Sequence, residues 1–147
     1  MSTAYLLFSV FVALSLLHVY WACGGRWGWD AALPEQPARA APASATARIK
    51  LFTPSRAATL RVAGALATVG LLVSLRAGLF APPLRHWVLT TTLTIAAVVF
   101  LLRALGDFHW VGFFKQDSHS TFACWDTAVF SPLCVALGVG LLKVAYW

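Results

Sequence analysis

One candidate for chemistry is a histidine inside the first apolar segment of the chain. His18 lies about one and a half helical turns before that segment ends at Cys23, which places it roughly 8 Å inside the segment. A titratable side chain at this depth is costly to bury unless it has a partner, and such side chains frequently bind a ligand or transfer a proton. The structural alternative is a neutral histidine that hydrogen-bonds to a neighbouring helix. His18 is therefore the first candidate for a ligand-binding residue.

A second group of charged side chains flanks the gap between the third and fourth apolar segments. Arg103 and Asp107 are four residues apart, and an exposed pair at this spacing contributes only about 0.2–0.5 kcal/mol. Asp126, early in the fourth segment, is the stronger partner for Arg103, because a carboxylate at the membrane boundary favours a cation and a guanidinium can donate two parallel hydrogen bonds. We predict that Arg103 and Asp126 pair, either to fasten the two segments together or to serve catalysis.

The composition places these residues in a membrane protein. Of the 147 residues, 60% are hydrophobic and 11% are charged, whereas a soluble domain carries about 25% charged residues. Four apolar segments have the length of about 20 residues that a helix needs to cross a bilayer. They cover approximately residues 3–23, 57–80, 87–105 and 121–147. The predicted fold class is all-α: a single transmembrane domain over residues 1–147, forming an integral membrane four-helix bundle.

The connecting loops differ in composition. The first loop is Ala/Pro-rich, and residues 31–50 or so are predicted to form a flexible linker because they cannot bury a core. Pro82 and Pro83 close the second loop as a short turn, which favours antiparallel neighbours. The third loop is rich in aromatic residues. Pro132, inside the fourth segment, predicts a kink because its ring removes one backbone hydrogen bond.

Helices that alternate in direction bring three segment ends to one face of the bundle. These are the end of the first segment, the end of the third and the start of the fourth. They carry the intramembrane histidine, the charged group and most of the tryptophan, and a ligand site needs a few convergent polar groups in an apolar hollow. The predicted ligand-binding residues are His18, Tyr20, Trp21, Arg103, Asp107 and Asp126.

The distribution of positive charge predicts how the chain crosses the membrane. The formal net charge is +6, but no Lys/Arg run is long enough for a nucleic-acid patch, so no nucleic-acid partner is expected. One side carries eight cations: Arg26, Arg39, Arg48, Lys50, Arg56, Arg61, Arg103 and Lys115. The other side carries three: Arg76, Arg85 and Lys143. The positive-inside rule then puts loops 24–56 and 106–120 in the cytoplasm and both termini outside.

The cysteines and histidines do not form a pattern with known metal or redox chemistry. The chain has 3 cysteines and no CxxC motif, which argues against a dithiol enzyme. Cys23, Cys124, His109 and His119 are suitable ligand types for zinc or copper, but their spacing matches no metal-binding pattern. We therefore expect no metal site and no cofactor.

Several short motifs together resemble one family. They are HxYWAxGGxWG at residues 18–28, RxxGDF at 103–108, GFFK at 112–115, FAxxDT at 122–127 and SPLC at 131–134. In this combination the chain resembles a family of small bacterial integral membrane proteins that is known only as a domain of unknown function. The resemblance covers nearly the whole chain. It implies a four-span protein of the bacterial inner membrane and implies no reaction.

Three functions remain open from the sequence. In the first, the bundle binds or transports a small apolar or amphiphilic molecule, which the intramembrane histidine and the excess of tryptophan favour. In the second, the protein is an accessory or structural subunit of a membrane complex, because small residues on its helix faces permit homo- or hetero-oligomers in the lipid bilayer. In the third, it is a membrane enzyme that acts on a lipid-like substrate, with His18 or Asp126 as the acid or base.

Overall fold

A computed structural model describes residues 2–37, 48–50, 53–80, 82–106, 111–114 and 120–147. Its long helices are α1 (Ser2–Ala22), α3 (Arg56–Ala77), α4 (Trp87–Leu105) and a fourth that combines α5 (Thr121–Trp125), a π-helical turn (Asp126–Phe130) and α6 (Ser131–Tyr146). A short helix, α2 (Trp29–Ala32), follows α1. All four long helices are apolar and long enough to cross a membrane. The protein is therefore an integral membrane four-helix bundle, and the predicted fold class is confirmed.

The bundle consists of two closely packed helix pairs. The pairs are α1 with α3 and α4 with α6, and α6 also contacts α1. Helices α1 and α3 are antiparallel, since the end of α1 and the start of α3 line one cavity and the start of α1 and the end of α3 line another. The fourth long helix is antiparallel to α4, since Arg103 contacts Asp126 near its start and Thr94 contacts Tyr146 near its end. Helices α3 and α4, which the short turn joins, contact each other less extensively. The core between the pairs is apolar, and its wholly buried side chains include Phe11, Leu93 and Leu141.

Small residues allow the helices of each pair to approach closely. Gly70 of α3 faces Phe11, whose Cβ would lie 3.2 Å from a Cβ added at the glycine. The Ser15 hydroxyl donates to the Ala63 carbonyl oxygen at 2.9 Å, which adds a polar link between α1 and α3. Gly138 of α6 lies against Leu101 of α4 in the same way. Because a glycine leaves no side chain in the interface, the backbones gain van der Waals contact that larger residues would block.

The helix ends follow local capping rules. The Ser55 hydroxyl accepts the N–H of Ala58 at 3.2 Å at the start of α3, and the Ser120 hydroxyl accepts the N–H of Ala123 at 3.0 Å at the start of α5. Helix α3 ends at Ala77, before the predicted end at residue 80, because Gly78 adopts a left-handed conformation with φ of 68°. A glycine at this position is the usual helix stop, since a side chain there would be strained.

The irregularity predicted at Pro132 lies in the turn before it. The N–H of Ser131 donates to the carbonyl of Asp126, five residues earlier, and residues 126–130 form a π-helical turn. Proline has no N–H and its ring collides with the carbonyl four residues back in a regular α-helix. The wider turn relieves that conflict while the helix continues through α6.

The Ala/Pro-rich stretch contains short elements that the linker prediction did not include. Strand β1 (Glu35–Pro37) pairs antiparallel with β2 (Arg48–Lys50), so that residue 35 is opposite residue 50. The ends of residues 31–50 therefore contain paired strands, and the flexibility of the stretch stays a prediction. Backbone pairing between distant residues does not depend on the local composition on which that prediction rested. The middle of the stretch, residues 38–47, lies outside the described residues.

Candidate functional site

The predicted pair between Arg103 and Asp126 is present. The Nη2 of Arg103 lies 2.9 Å from Oδ1 of Asp126, with the arginine side chain 35% exposed and the aspartate wholly buried. The other carboxylate oxygen, Oδ2, accepts the backbone N–H of Gly112 at 2.7 Å. The pair therefore joins the last turn of α4, the following loop and the π-helical turn. The guanidinium meets the carboxylate through one nitrogen, because the second oxygen is engaged by the loop.

Two glycines make this loop contact possible. Gly106 and Gly112 both have positive φ, 86° and 92°, and a Cβ on Gly106 would overlap the main-chain oxygen of Val111. The N–H of Phe113 donates to the carbonyl of Ala104 at 2.9 Å, which closes the loop onto the end of α4. Only glycine combines this conformation with so close a backbone approach. The buried carboxylate thus holds a loop whose shape the glycines define, which supports the fastening role for the ion pair over the catalytic one.

His18 bonds within its own helix. Its Nδ1 lies 2.8 Å from the carbonyl oxygen of Leu14, one turn earlier. A carbonyl only accepts hydrogen bonds, so Nδ1 carries the proton, and Nε2 is an acceptor in the neutral ring. Among the described residues, Nε2 has no hydrogen-bond partner. The ring meets Trp21 edge-on, with the ring centres 5.1 Å apart. The structural alternative of a bond to a neighbouring helix does not apply, because the partner is in α1.

A cavity of about 320 Å³ lies beside His18. Its walls come from the end of α1, from α2 and the residues after it, and from the start of α3. The aromatic and aliphatic lining includes Trp21, Trp29, Leu33, Pro54 and Val62. The one lining hydroxyl, on Thr59, donates to the Ser55 carbonyl oxygen at 3.1 Å. The lining is mostly apolar, and its polar groups without a hydrogen bond to a described residue are Nε2 of His18, an acceptor, and the indole N–H of Trp29, a donor. We call this space the His18 cavity.

A second cavity, of about 290 Å³, lies on the other side of Trp21. It is lined by Leu17, Trp27, Trp125 and Phe130 in addition to Trp21, and we call it the Trp125 cavity. The Trp21 indole N–H donates to the Trp27 carbonyl oxygen at 2.8 Å, which holds the ring as a wall between the two cavities. Helix α2 contacts α5 here. The end of α1 with α2 and the start of the fourth long helix therefore meet at one face, as alternating helices require.

A comparison with protein families covers the residues of both cavities and of the Arg103–Asp126 pair. The model of the family described as "Protein of unknown function (DUF3995)" matches residues 11–141. The chain belongs to this family. Membership in a family known only as a domain of unknown function, which the motifs predicted, is thus confirmed, and every motif lies within the matched residues of this DUF3995 protein. No curated protein and no solved structure matches the chain.

The predicted site residues fall into two separate groups in this DUF3995 member. His18 and Trp21 lie together in the wall of the His18 cavity. Arg103 and Asp126 pair with each other and line neither that cavity nor the Trp125 cavity. Asp107 lies outside the described residues. Tyr20 belongs to the cap at the end of α1, where its hydroxyl accepts the Trp27 N–H at 3.4 Å.

Sequence reasoning did not find the lining residues that come from α2 and α3. Thr59 and Val62 belong to the start of α3, and neither was among the predicted ligand-binding residues. Trp29 and Trp125, which line the His18 cavity and the Trp125 cavity, were not among them either. An excess of tryptophan over what a belt needs was the available signal for these two. In the described part of the chain, no three His, Cys, Asp or Glu side chains are grouped to hold a metal ion.

Proposed function

We propose that this protein binds a small apolar or amphiphilic molecule in the His18 cavity. The observation that carries the proposal is the combination of an aromatic hollow with one hydrogen-bond acceptor, Nε2 of His18, that the described residues leave unpartnered. Ligand sites typically pair a mostly apolar lining with a few polar groups that set orientation. A ligand that donates a hydroxyl proton to Nε2 and places its hydrocarbon part among the tryptophans satisfies both requirements.

The size of the cavity limits the ligand. At about 320 Å³ it lies at the lower end of the range of roughly 300–1,000 Å³ that holds drug-sized molecules. Two acyl chains of a phospholipid do not fit in such a space, whereas one ring system or one short chain with a polar head does. We therefore propose binding of a small lipid-soluble molecule. Transport would also require a second opening through which the molecule leaves the cavity.

Mass spectrometry of molecules that co-purify in mild detergent tests the proposal. The wild type is expected to retain one small molecule in excess over bulk lipid, and His18→Ala is expected to lose it. Because the His18 ring bonds only to its own helix among the described residues, the variant should melt close to the wild type. His86→Ala is the matched control, since His86 lies at the start of α4, far along the chain from this cavity. Equal retention by wild type and His18→Ala would contradict the proposal.

A second candidate, a subunit of a membrane complex, is favoured by one face of α3. Gly64 has no heavy atom within 4 Å of an added Cβ, and its neighbours on the same face, Leu60, Thr68 and Leu71, are exposed. Small residues at this spacing let another helix approach closely. Native mass spectrometry distinguishes the two candidates. A complex built on this face would lose its higher-mass species in Gly64→Leu, whereas a monomeric wild type would remove the support for this candidate.

We also propose an orientation in the bacterial inner membrane. Helical spans are typical of that membrane, since outer-membrane proteins are β-barrels. The count of eight cations against three supports cytoplasmic loops at residues 24–56 and 106–120 and both termini outside. A reporter enzyme that is active only in the cytoplasm, fused after Trp147, should be inactive, and the same reporter inserted at residue 42 should be active. The reverse pattern would overturn the orientation.

A further inference from the structure

The end of the bundle opposite His18 contains a cavity of its own. At about 420 Å³ it is larger than either the His18 cavity or the Trp125 cavity. Three cationic side chains line it, Arg76, Arg85 and Lys143. We call this region the basic end. The sequence places these three on the same side of the membrane, and the fold brings them to one cavity.

The cavity has unbalanced positive charge. Its lining, all within the described residues, contains no Asp or Glu side chain. The first residues of α1, Ser2 and Thr3, also line it, so the unbonded N–H groups and positive dipole end of a long helix lie at its wall. The ends of α3 and α6 also line the cavity and bring negative dipole ends, so its excess of positive charge comes from the three cationic side chains.

The cations retain donors for such an anion. Arg76 donates from Nη2 to the Ala145 carbonyl oxygen at 2.8 Å, but its Nε is buried without a partner. Arg85 donates from Nη2 to the main-chain oxygen of Trp147 at 3.5 Å, which is long for a hydrogen bond. The ammonium group of Lys143 is exposed and has no hydrogen bond to a described residue. A buried donor without an acceptor is rare in a folded protein, so an oxygen-rich ligand at this place would satisfy it.

The level of the cavity in the membrane indicates which molecule presents the anionic group. Trp87, Tyr146 and Trp147 are exposed at the same end, at 73%, 66% and 86%. Exposed tryptophan and tyrosine at helix ends lie at the level of the lipid headgroups. The cavity is therefore placed where phospholipid phosphates lie, with apolar helix faces beside it for the acyl chains.

We infer that the basic end is a binding site for a phosphate group, presented by the headgroup of an anionic phospholipid or by free phosphate. Arg76 and Lys143 are the main ligands, each from the last turn of its helix. Arg85 adds a third donor from the segment before α4. The inference does not depend on the proposed function of the His18 cavity, because the two cavities lie at opposite ends of the bundle.

Native mass spectrometry with matched lipids tests the site. The protein in detergent is offered phosphatidylglycerol and phosphatidylcholine with identical acyl chains in equal amounts. The wild type should carry phosphatidylglycerol preferentially, and Lys143→Gln should reduce that preference about fivefold, the effect of one cation near a charged surface. Arg76→Gln should reduce it further. Arg61→Gln, which removes an exposed cation from the first half of the same helix as Arg76, should leave it unchanged.

A second arm separates the two sources of phosphate. If millimolar inorganic phosphate displaces phosphatidylglycerol from the wild type, the site takes the group from either source; if it does not, the site needs the lipid, and both results support the inference. Arg76→Gln removes the bond to Ala145 and can weaken the fold, so Lys143→Gln decides the matter. The inference fails if the wild type shows no preference for phosphatidylglycerol, or if Arg61→Gln lowers the preference as much as Lys143→Gln.

Discussion

The two ends of this bundle are built from the same helix pairs but differ in whether their cationic side chains are paired with a carboxylate. At the end that contains His18, Trp21 and Trp125, which we call the aromatic end, Asp126 is wholly buried and accepts hydrogen bonds from Arg103 and the Gly112 backbone. At the basic end, Arg76, Arg85 and Lys143 line a cavity without a carboxylate side chain. One end neutralises its cation internally, and the other leaves three cations for a partner from outside.

This difference determines what each cavity can bind. Because the carboxylate at the aromatic end is engaged by the fold, the His18 cavity offers uncharged polar groups, the His18 ring nitrogen and the Trp29 indole N–H, in a mostly apolar wall. Such a cavity suits an uncharged molecule. The unbalanced charge at the basic end suits an anion. A charged side chain at a membrane boundary therefore indicates a ligand only when the fold has not already supplied its partner.

The largest expected effect is on the ion pair of the aromatic end. Arg103→Ala leaves a buried carboxylate without its cation, and removing one partner of a buried pair costs about 3–5 kcal/mol. Asp126→Ala should cost less, because the arginine is 35% exposed and its charge can reach water. Thermal unfolding in detergent measures both. The double variant should be less harmful than the sum of the single variants, and strict additivity would show that the pair does not stabilise the fold.

Backbone geometry in the same region gives the next effect. Gly106→Ala forces an alanine to a φ of 86° and against the Val111 oxygen, and strain of this kind costs about 1–3 kcal/mol. Gly64→Ala, at a helical glycine with open space around it, is the matched control and should stabilise by about 0.5–1 kcal/mol. The midpoint of thermal unfolding should therefore move in opposite directions in the two variants. Equal shifts would mean that the loop at Gly106 adapts to a side chain.

A structural feature was predictable from the sequence where hydropathy and helix alternation determine it, and was not where it depends on the packing of segments distant in the chain. The four spans and the Arg103–Asp126 pair were predictable, because hydropathy defines the segments and alternating helices bring the two charges to one face. The contribution of α3 to the wall of the His18 cavity was not predictable, since it depends on how residues 24–55 connect α1 to α3. The convergence at the basic end was missed for a related reason. The count of cations placed Arg76 and Lys143 on the same side of the membrane, and only the packed helix ends show that they share a cavity.

The smallest expected effect lies on α4, in the half of the helix nearer the basic end. Thr94 donates to the Thr90 carbonyl oxygen of its own helix at 2.8 Å and lies 3.3 Å from the Tyr146 hydroxyl. The Thr94 hydroxyl gives its one proton to its own backbone, so a bond between the helices requires the Tyr146 hydroxyl to donate to Thr94. At 3.3 Å that bond is long, and Tyr146 is exposed to compete for other partners, so it contributes little. Thr94→Val should therefore change the free energy of unfolding by no more than about 0.5 kcal/mol. The thermal midpoint of Tyr146→Phe, which removes the other hydroxyl, should move equally little. A larger loss in both variants would show that the threonine links α4 to α6, and that the basic end is also fastened internally.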